Sequence, residues 1–280
     1  MASGNRGGQG RRLTIHVGLQ KTGSTSLHRH LMLNANALAD RMVVRMPVEG
    51  TPMRPLGRAA VAFSLNPDDA HRETLDQAIA KVREGLPDND LPVLLSHENL
   101  AGAMPGTGDE RGLYPALPRI MAALNAGFAE FSVDYVIYLR RREDWLPSVW
   151  AQAVRTDGYT GTWADYRAET AGLPQWSDLI ARLRRVAGPG GLTRFRLEDE
   201  TDPAHPGSQL LMHMGLTAKD IAVLRPLEGR GMERLSPAAT EFMRRFNELA
   251  LNPYARSRVA DLVARTQHLF TADYRPEGML

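Results

Sequence analysis

The amino-acid sequence predicts an α/β protein in which helices flank a mainly parallel sheet. Short apolar, β-prone runs predict strands at 13–18, 92–96, 131–139 and 191–197. Segments with helical patterning separate these runs. Strands that alternate with helices form βαβ units, whose neighbouring strands run parallel. The C-terminal third of the chain is predicted to be a helical region.

The first strand, loop and helix follow each other directly. LTIHVG, residues 13–18, is a short apolar run that ends in glycine, which predicts a buried strand. The next helix begins at about Ser24 and places Leu27, Leu31 and Leu38 on one face. A glycine-containing loop joins the strand to the helix, which is the order that a phosphate site needs.

Proline and glycine mark the next boundaries. Residues 47–67 contain four prolines and two glycines and are predicted to be a loop. Asn66 followed by Pro67 predicts a helix start, and this helix is expected to run to about Arg83. The strand PVLLS, at 92–96, comes next.

Helices dominate the rest of the chain. Ser236-Pro237 and Asn252-Pro253 predict helix starts, because proline fits the first turn of a helix. A glycine-rich loop is predicted at 102–112, followed by a helix that ends at about residue 124. Further helices are predicted at 143–154, 162–169 and 175–187.

The composition is that of an ordinary globular protein, with 43% hydrophobic and 24% charged residues in 280. Residues 1–11 are rich in polar residues and glycine and predict a flexible tail, which leaves 12–280 as a single α/β domain. We expect neither a membrane span nor a secretory signal, because long apolar runs are absent. Cysteine is absent too, which excludes disulfides and thiolate ligands and fits a cytoplasmic protein.

GLQKTGSTS, residues 18–26, has the features of a phosphate-binding loop. Backbone N–H groups at a helix N-terminus lack helical partners, and the helix dipole makes that end positive. Glycine lets the backbone approach a ligand closely, and hydroxyls can donate to phosphate oxygens. The loop also holds Lys21, one of only three lysines in the chain, which brings a full charge.

The loop has two other interpretations, a Walker A phosphate loop and a plain turn. Lys21 lies two residues before Gly23, unlike the glycine-lysine pair of a Walker A loop, which argues against an ordinary ATPase or GTPase. A plain strand-to-helix turn, with Ser24 as the helix cap, is the structural alternative.

A second anion anchor is predicted after the strand 131–139. Arg140 ends this strand, and Ser148 follows eight residues later on the next helix. A strand end and the first turns of the following helix can meet at one anion, and a guanidinium binds phosphate through two charge-assisted hydrogen bonds. Arg141 and Arg142 are expected to be solvated surface residues.

These two segments resemble a known family. HVGLQKTGSTSL resembles the 5′-phosphosulfate loop of sulfotransferases that use 3′-phosphoadenosine 5′-phosphosulfate (PAPS), in which Lys-Thr-Gly precedes two Ser/Thr residues. Arg140 and Ser148 resemble the family's 3′-phosphate motif. The resemblance implies a P-loop-like sulfotransferase fold with PAPS as sulfuryl donor and no metal. The donor-binding residues that it implies in the loop are Lys21, Thr22, Gly23, Ser24 and Thr25, followed by Ser26 where the soluble branch often has tryptophan.

The general base is expected in SHEN, residues 96–99, at the end of the strand PVLLS. The family uses histidine in one branch and glutamate in others, and Glu98 is favoured here over His97. Side chains alternate along a strand, so the two are expected to point in different directions. A helix cap and a surface histidine are the structural alternative. Lys21 is the expected stabiliser of charge on the leaving phosphate.

The sequence alone is compatible with two other functions and does not identify the acceptor. A nucleotide-dependent kinase would need Mg²⁺ ligands, and a non-catalytic module that binds nucleotides or polyanions would use the same loop without chemistry. Nucleic acid is excluded as a partner, because the net charge is only +2 and aromatic residues are 6%. The expected acceptor is a hydroxyl or amine of a small molecule, carbohydrate or lipid. Among the other histidines, His16 is predicted to be a core residue, and His28 and His30 are predicted to face the cleft or solvent.

Overall fold

A five-stranded sheet organises the chain in a computed structural model that describes residues 10–188, 190–228, 235–250 and 252–271. The strands are β1 Arg12–Val17, β2 Val43–Arg45, β3 Val93–His97, β4 Ser132–Leu139 and β5 Leu192–Arg196. Their order in the sheet is β2-β3-β1-β4-β5, and every pairing is parallel. The predicted α/β class with a parallel sheet is confirmed. Residues 1–9 of the predicted tail lie outside the described residues.

The described residues also form twelve α-helices. Those of the first half are α1 Ser24–Leu33, α2 Ala35–Leu38, α3 Met53–Leu65, α4 Asp69–Glu84 and α5 Leu117–Gly127. Those of the second half are α6 Arg142–Gln152, α7 Trp163–Glu169, α8 Trp176–Arg184, α9 Ser208–His213, α10 Ala218–Ala222, α11 Pro237–Phe246 and α12 Pro253–Arg265. Within the described ranges, no helix combines the length and the apolar character that a membrane span requires.

The chain forms two compact units. Of the described residues, the first unit comprises 10–103, 113–141, 174–188 and 190–228 and contains the five strands. The second unit comprises 104–112, 142–173, 235–250 and 252–271 and contains α6, α7, α11 and α12. The single domain predicted for 12–280 stays a prediction.

The four predicted strands correspond to β1, β3, β4 and β5, whereas β2 was not predicted. This strand has only three residues, Val43–Arg45, and pairs with β3 at the edge of the sheet. Three residues are too few to show the alternation by which a strand is recognised in a sequence. The sheet therefore has one more strand than the sequence predicted.

The predicted loop at 47–67 is wrong over most of its length, because α3 occupies Met53–Leu65. Pro52 is the N-cap and Pro55 lies in the first turn, where a missing N–H breaks no helical hydrogen bond. Further along, apolar residues such as Phe63 fall on a buried face. The prolines thus mark a helix start and not a loop.

Both faces of the sheet are covered within the first unit. On β4, Val136 and Tyr138 pack into a core with Leu31 of α1 and Leu210 of α9. Tyr135 points to the opposite face, where its hydroxyl donates to Asn125 Oδ1 on α5 over 2.7 Å. Parallel strands buried on both faces are typical of α/β proteins, and the carboxyl edge of the sheet is left for a binding site.

The second unit confirms two predicted helix starts. The Ser236 hydroxyl accepts a hydrogen bond from Ala239 N–H at the start of α11, and Asn252 accepts one from Ala255 N–H at the start of α12. Each has proline at the first helical position. A π-helical turn, Ala153–Asp157, follows α6.

A buried carboxylate ties β1 to β4 at the end of the sheet away from the candidate site. Asp134 accepts hydrogen bonds from Thr14 (2.8 Å), Arg12 (3.3 Å) and His213 (2.6 Å). Burial raises the pKa of Asp134, but these hydrogen bonds outweigh burial and hold the pKa below its ordinary value. A carboxyl whose pKa is lowered in the folded state stabilises the fold above its unfolded pKa and loses that contribution as the pH falls.

We expect Asp134→Asn to lower the free energy of unfolding by about 1–3 kcal/mol at neutral pH, because it leaves buried donors without their anion. The difference from wild type should shrink as the pH falls through the lowered pKa, since the wild-type carboxyl then becomes neutral as well. Urea unfolding at a series of pH values measures this difference. Asp76→Asn, on exposed α4, is the control, and a pH-independent loss in Asp134→Asn would contradict the assignment.

Candidate active site

The candidate phosphate loop begins where β1 ends, at the carboxyl edge of the sheet. Gly18 N–H donates to the carbonyl oxygen of His97, at the end of the neighbouring β3, over 3.3 Å. A Cβ atom on Gly18 would lie 3.0 Å from the Cα atom of Glu98, so glycine permits this close approach. The loop therefore starts beside the residue that the sequence predicts as general base.

The backbone of the loop is strained at its lysine. Lys21 has a φ of 67°, in the left-handed region that costs a non-glycine residue about 1–3 kcal/mol. Two hydrogen bonds hold the conformation: the Thr22 hydroxyl donates to Leu19 O over 2.6 Å, and Arg140 Nη1 donates to Lys21 O over 3.3 Å. The structure thus brings the predicted second anchor, Arg140, onto the predicted loop.

The N-terminus of α1 faces the loop with no capping side chain among the described residues. Gly23, with a φ of 95°, is the N-cap, so the alternative in which Ser24 caps the helix is wrong. The first helical hydrogen bond runs from Leu27 N–H to Gly23 O over 3.2 Å. The N–H groups of Ser24, Thr25 and Ser26 therefore precede the helical ladder, where backbone donors and the helix dipole bind anions.

A cavity of about 360 Å³ lies beside the loop. Thr22, Gly23, Ser24 and Ser26 form its loop side, whereas Thr25 is exposed to solvent. The other lining residues are His16, Leu27, Tyr138, Leu197, Glu200, Asp202, Pro203, Pro206, Gly207 and Leu227. Most of this wall is apolar, with Glu200 and Asp202 as its two carboxylates. The cavity therefore offers the hydroxyls and backbone N–H groups of the loop and a wall that is mainly apolar.

Sequence reasoning missed the apolar wall. Leu197 lies so close to the loop that a Cβ atom on Gly23 would be 2.9 Å from Leu197 Cδ1. The sequence places Leu27 on the apolar face of the first helix and Leu197 at the end of a strand. Their positions in the chain, about 170 residues apart, give no sign that they face each other.

A second cavity, of about 410 Å³, opens at the ends of β4 and β5. Arginine dominates its lining, with Arg140, Arg141, Arg194 and Arg196 alongside Trp176. The Trp176 indole N–H donates to Arg140 O over 2.9 Å. Acidic Glu198 and Asp199 also line it. The four arginines outnumber the two carboxylates, so the net charge of the lining is positive and favours binding of an anion.

Ser148, the predicted partner of Arg140, belongs to the second unit. It is buried on α6, and its hydroxyl donates to Asp144 O one turn earlier over 2.9 Å. The binding of one phosphate by Arg140 and Ser148 together stays a prediction.

His97 is built into the protein interior. Its Nδ1 accepts a hydrogen bond from Asn99 N–H over 3.1 Å, and the ring lies against α3, where a Cβ atom on Gly57 would be 2.0 Å from His97 Nε2. Burial lowers the pKa of His97 to about 4, although Glu98 and a hydrogen bond to the Met53 backbone act in the opposite direction. These contacts are those of a structural histidine.

Glu98 has a different environment. Its side chain is 34% exposed, and its Oε2 atom lies 3.7 Å from His28 Nδ1 and 3.8 Å from His97 Nδ1. Strand alternation ends at His97, because Glu98 begins a 3₁₀ turn, Glu98–Ala101. The two side chains nevertheless have different surroundings, since His97 packs against α3 and Glu98 is partly exposed. Of the two predicted bases, Glu98 is the more exposed, although its Oε2 atom is buried and has no hydrogen-bond partner among the described residues.

Two further histidines meet at Ser96. The Ser96 Oγ atom lies 2.7 Å from His16 Nδ1 and 2.8 Å from His28 Nε2. All three residues are buried. His16 is almost fully buried, as predicted for a core residue, and lines the cavity beside the loop. His28 is buried next to Glu98. His30 is also buried, with Nδ1 3.1 Å from Pro206 O.

No family model and no curated protein sequence matches this chain. Across the described ranges, no group of three or more His, Asp or Glu side chains is arranged to hold a metal ion.

Proposed function

We propose that this protein is a sulfotransferase that moves a sulfuryl group from PAPS to a hydroxyl or amine acceptor. One observation carries the proposal: an uncapped helix N-terminus, a lysine, an arginine and a carboxylate converge at the carboxyl edge of a parallel sheet. Residues 18–26, Arg140 and Glu98 supply these groups. Group transfer from an anionic donor needs an anion cradle on the donor side and a base on the acceptor side.

The loop and its cavity suit the 5′ half of the donor. The N–H groups at the start of α1 and the Lys21 ammonium would hold the phosphosulfate, because both favour negative charge. The cavity beside Ser26 would hold the purine against Leu27, Leu197 and Leu227. Ser26 replaces the tryptophan of the family pattern, and this apolar wall provides an alternative surface for the base.

Arg140 would bind the 3′-phosphate, as the family resemblance implies. Its guanidinium already contacts Lys21 O, so it lies near enough to the loop to share a ligand with it. Arg194 and Arg196 line the same cavity and add positive charge. Ser148 is the second residue that the resemblance assigns to this phosphate.

The transfer step divides between two residues. PAPS, when bound, supplies the sulfuryl group. Lys21 stabilises the negative charge that grows on the leaving 5′-phosphate as its bond to sulfur breaks. Glu98 accepts the proton of the acceptor hydroxyl as that oxygen bonds to sulfur. The partial exposure of Glu98 leaves room for the acceptor, which a small molecule, carbohydrate or lipid would provide.

Two other functions use the same loop. A kinase would show binding and turnover that depend on ATP and Mg²⁺. A non-catalytic binding module would take up the donor and transfer nothing to any acceptor. The sulfotransferase is favoured because Glu98 stands beside the loop, where a base is needed, and because the loop departs from the Walker A pattern.

We expect wild-type protein to bind 3′-phosphoadenosine 5′-phosphate (PAP) more tightly than adenosine 5′-phosphate (AMP), and Arg140→Ala to remove most of that difference. A hydrogen bond to a charged group contributes about 1.5–3 kcal/mol, which corresponds to a loss of roughly ten- to hundredfold in PAP affinity. AMP affinity should fall less, because Arg140→Ala removes from the 5′-phosphate loop only the 3.3 Å hydrogen bond to Lys21 O. Isothermal titration of both nucleotides, with ATP and Mg²⁺ as a third ligand, measures the effect.

Arg141→Ala is the matched control, because it removes a more exposed guanidinium that lines the same cavity. Equal losses of PAP and AMP in Arg140→Ala would remove Arg140 from the 3′-phosphate. Tighter binding of ATP with Mg²⁺ than of PAP would favour the kinase.

A further inference from the structure

The hydroxyl of Ser96 joins two buried imidazoles on the inner side of the candidate base. Ser96 Oγ lies 2.7 Å from His16 Nδ1 and 2.8 Å from His28 Nε2, and the far side of the His28 ring faces Glu98, with Nδ1 3.7 Å from Oε2. The cluster therefore forms a chain in the order His16, Ser96, His28, Glu98. Ser96 and His28 belong to neither the loop nor the 3′-phosphate anchor, whereas His16 also lines the cavity assigned to the purine.

The chemistry of the hydroxyl couples the two rings. A serine hydroxyl has one hydrogen to donate, and a neutral imidazole has one N–H and one bare nitrogen. Ser96 can donate to only one of the two nitrogens that face it, so the two nitrogens cannot both be bare. If both rings are neutral and Ser96 donates to His28 Nε2, His16 Nδ1 must carry a hydrogen.

Burial keeps these rings neutral. Burial, together with the charge of a protonated His28, lowers the pKa of His16 to about 3. Burial also lowers the pKa of His28, against the opposing effect of Glu98. At neutral pH, each ring therefore has one tautomer to choose.

Both ends of this hydrogen-bond chain favour the same direction of donation, from His16 towards Glu98. At one end, the Glu98 carboxylate favours a hydrogen on His28 Nδ1, and His97 cannot supply one because its Nδ1 accepts from Asn99 N–H. At the other end, His16 Nε2 is buried and has no hydrogen-bond partner among the described residues. A bare nitrogen is the better occupant there, because buried N–H groups without an acceptor are rare.

We infer that His28 is a positioning residue for Glu98, held by a directed chain in which His16 donates to Ser96, Ser96 donates to His28 Nε2, and His28 Nδ1–H faces the carboxylate. The catalytic part of this inference rests on the proposed function. The 3.7 Å separation is longer than a hydrogen bond and is expected to shorten once the acceptor is bound, as contacts in ligand-free sites commonly do. Aligned donors polarise one another, so the chain strengthens the His28 contact that orients the carboxylate.

Nitrogen-15 spectra of histidine-labelled protein test the direction without any substrate, because long-range correlations distinguish a bare imidazole nitrogen from a protonated one. We expect hydrogens on Nδ1 of both His16 and His28, with the His28 signals assigned from a His28→Gln sample. In Ser96→Ala, the His28 tautomer should become mixed. A wild-type His28 with its hydrogen on Nε2 would overturn the inference.

Kinetics test the positioning role. Ser96→Ala should lower kcat about tenfold, less than the roughly 10²–10⁴-fold contribution of a general base itself, and leave the Kd for PAP within about twofold. Thr14→Val is the matched control, since it deletes another buried hydroxyl of the sheet, one that bonds Asp134; its kcat and His28 spectrum should match wild type. A wild-type kcat in Ser96→Ala overturns the positioning role. A wild-type protein with the expected tautomers that transfers no sulfuryl group would instead reject the proposed function and the positioning role, and leave the hydrogen-bond order standing.

Discussion

Lys21→Ala is expected to abolish detectable sulfuryl transfer from PAPS. Lys21 is the only lysine of the loop, and it lies next to the uncapped start of α1. Removal of one group that stabilises transition-state charge typically costs about 10²–10³-fold in kcat, and a full charge beside a leaving phosphate belongs at the upper end. Transfer from ³⁵S-labelled PAPS to a panel of hydroxylated metabolites, sugars and lipids measures the effect.

Lys21→Ala tests the side chain and not the backbone conformation. Alanine keeps a Cβ atom, so the strain of the left-handed φ of 67° is the same in the wild-type protein and the variant. Lys21→Arg should also be poor, because a planar fork on a longer stem does not replace a compact ammonium. Lys81→Ala is the control, since Lys81 is exposed on α4 and pairs with Glu84. Normal transfer by Lys21→Ala would reject the assignment of this loop to the sulfuryl donor.

Much of the fold could be predicted because burial on both faces makes a strand visible in the sequence. The runs that became β3 and β4 are mostly apolar, as parallel strands in α/β proteins are. In β1, apolar and polar residues alternate, and the polar Thr14 and His16 are buried as well. The exceptions have physical causes. Residues Val43–Arg45 are too short to show a period, and the proline-rich segment before Phe63 contains a helix whose prolines lie in its first turn.

The candidate site was predictable only where its residues follow each other closely in the chain. The loop could be predicted because the strand, the glycine-containing loop and the helix start are consecutive. Arg140 could be predicted because it directly follows the last residue of a strand. His28 could not be predicted, because its partner Ser96 lies 68 residues away. That contact depends on the parallel pairing of β1 with β3, which aligns His16 with Ser96. Strand order is a tertiary property, and no local pattern in the sequence specifies it.

The choice between Glu98 and His97 illustrates the same limit. The sequence offers two adjacent titratable residues, and chemistry alone permits either as a base. Backbone geometry separates them, because the strand ends at His97 and a 3₁₀ turn begins at Glu98. His97 is consequently enclosed between β3 and α3, whereas Glu98 stays partly exposed beside the loop.

Glu98→Gln is therefore expected to lower kcat by roughly 10²–10⁴-fold, the usual contribution of a general base, with the Kd for PAP unchanged. Glutamine keeps the size of the side chain and its contacts with the two histidines, but it cannot accept the acceptor's proton. Steady-state transfer from labelled PAPS gives kcat, and PAP titration gives the Kd. A loss of PAP affinity equal to the loss of kcat would mean that Glu98 supports donor binding and not proton transfer.

His97→Gln supplies the comparison that decides between the two residues. This substitution removes a ring that packs against Gly57 and accepts a hydrogen bond from Asn99, so its main effect should be a lower melting temperature. The folded protein should keep kcat within about tenfold of wild type, because His97 donates no hydrogen to the reacting groups and its pKa of about 4 makes it a weak base. If His97→Gln lost the activity and Glu98→Gln kept it, the histidine would be the base, and the carboxylate would take the supporting role assigned here to the chain of His28, Ser96 and His16.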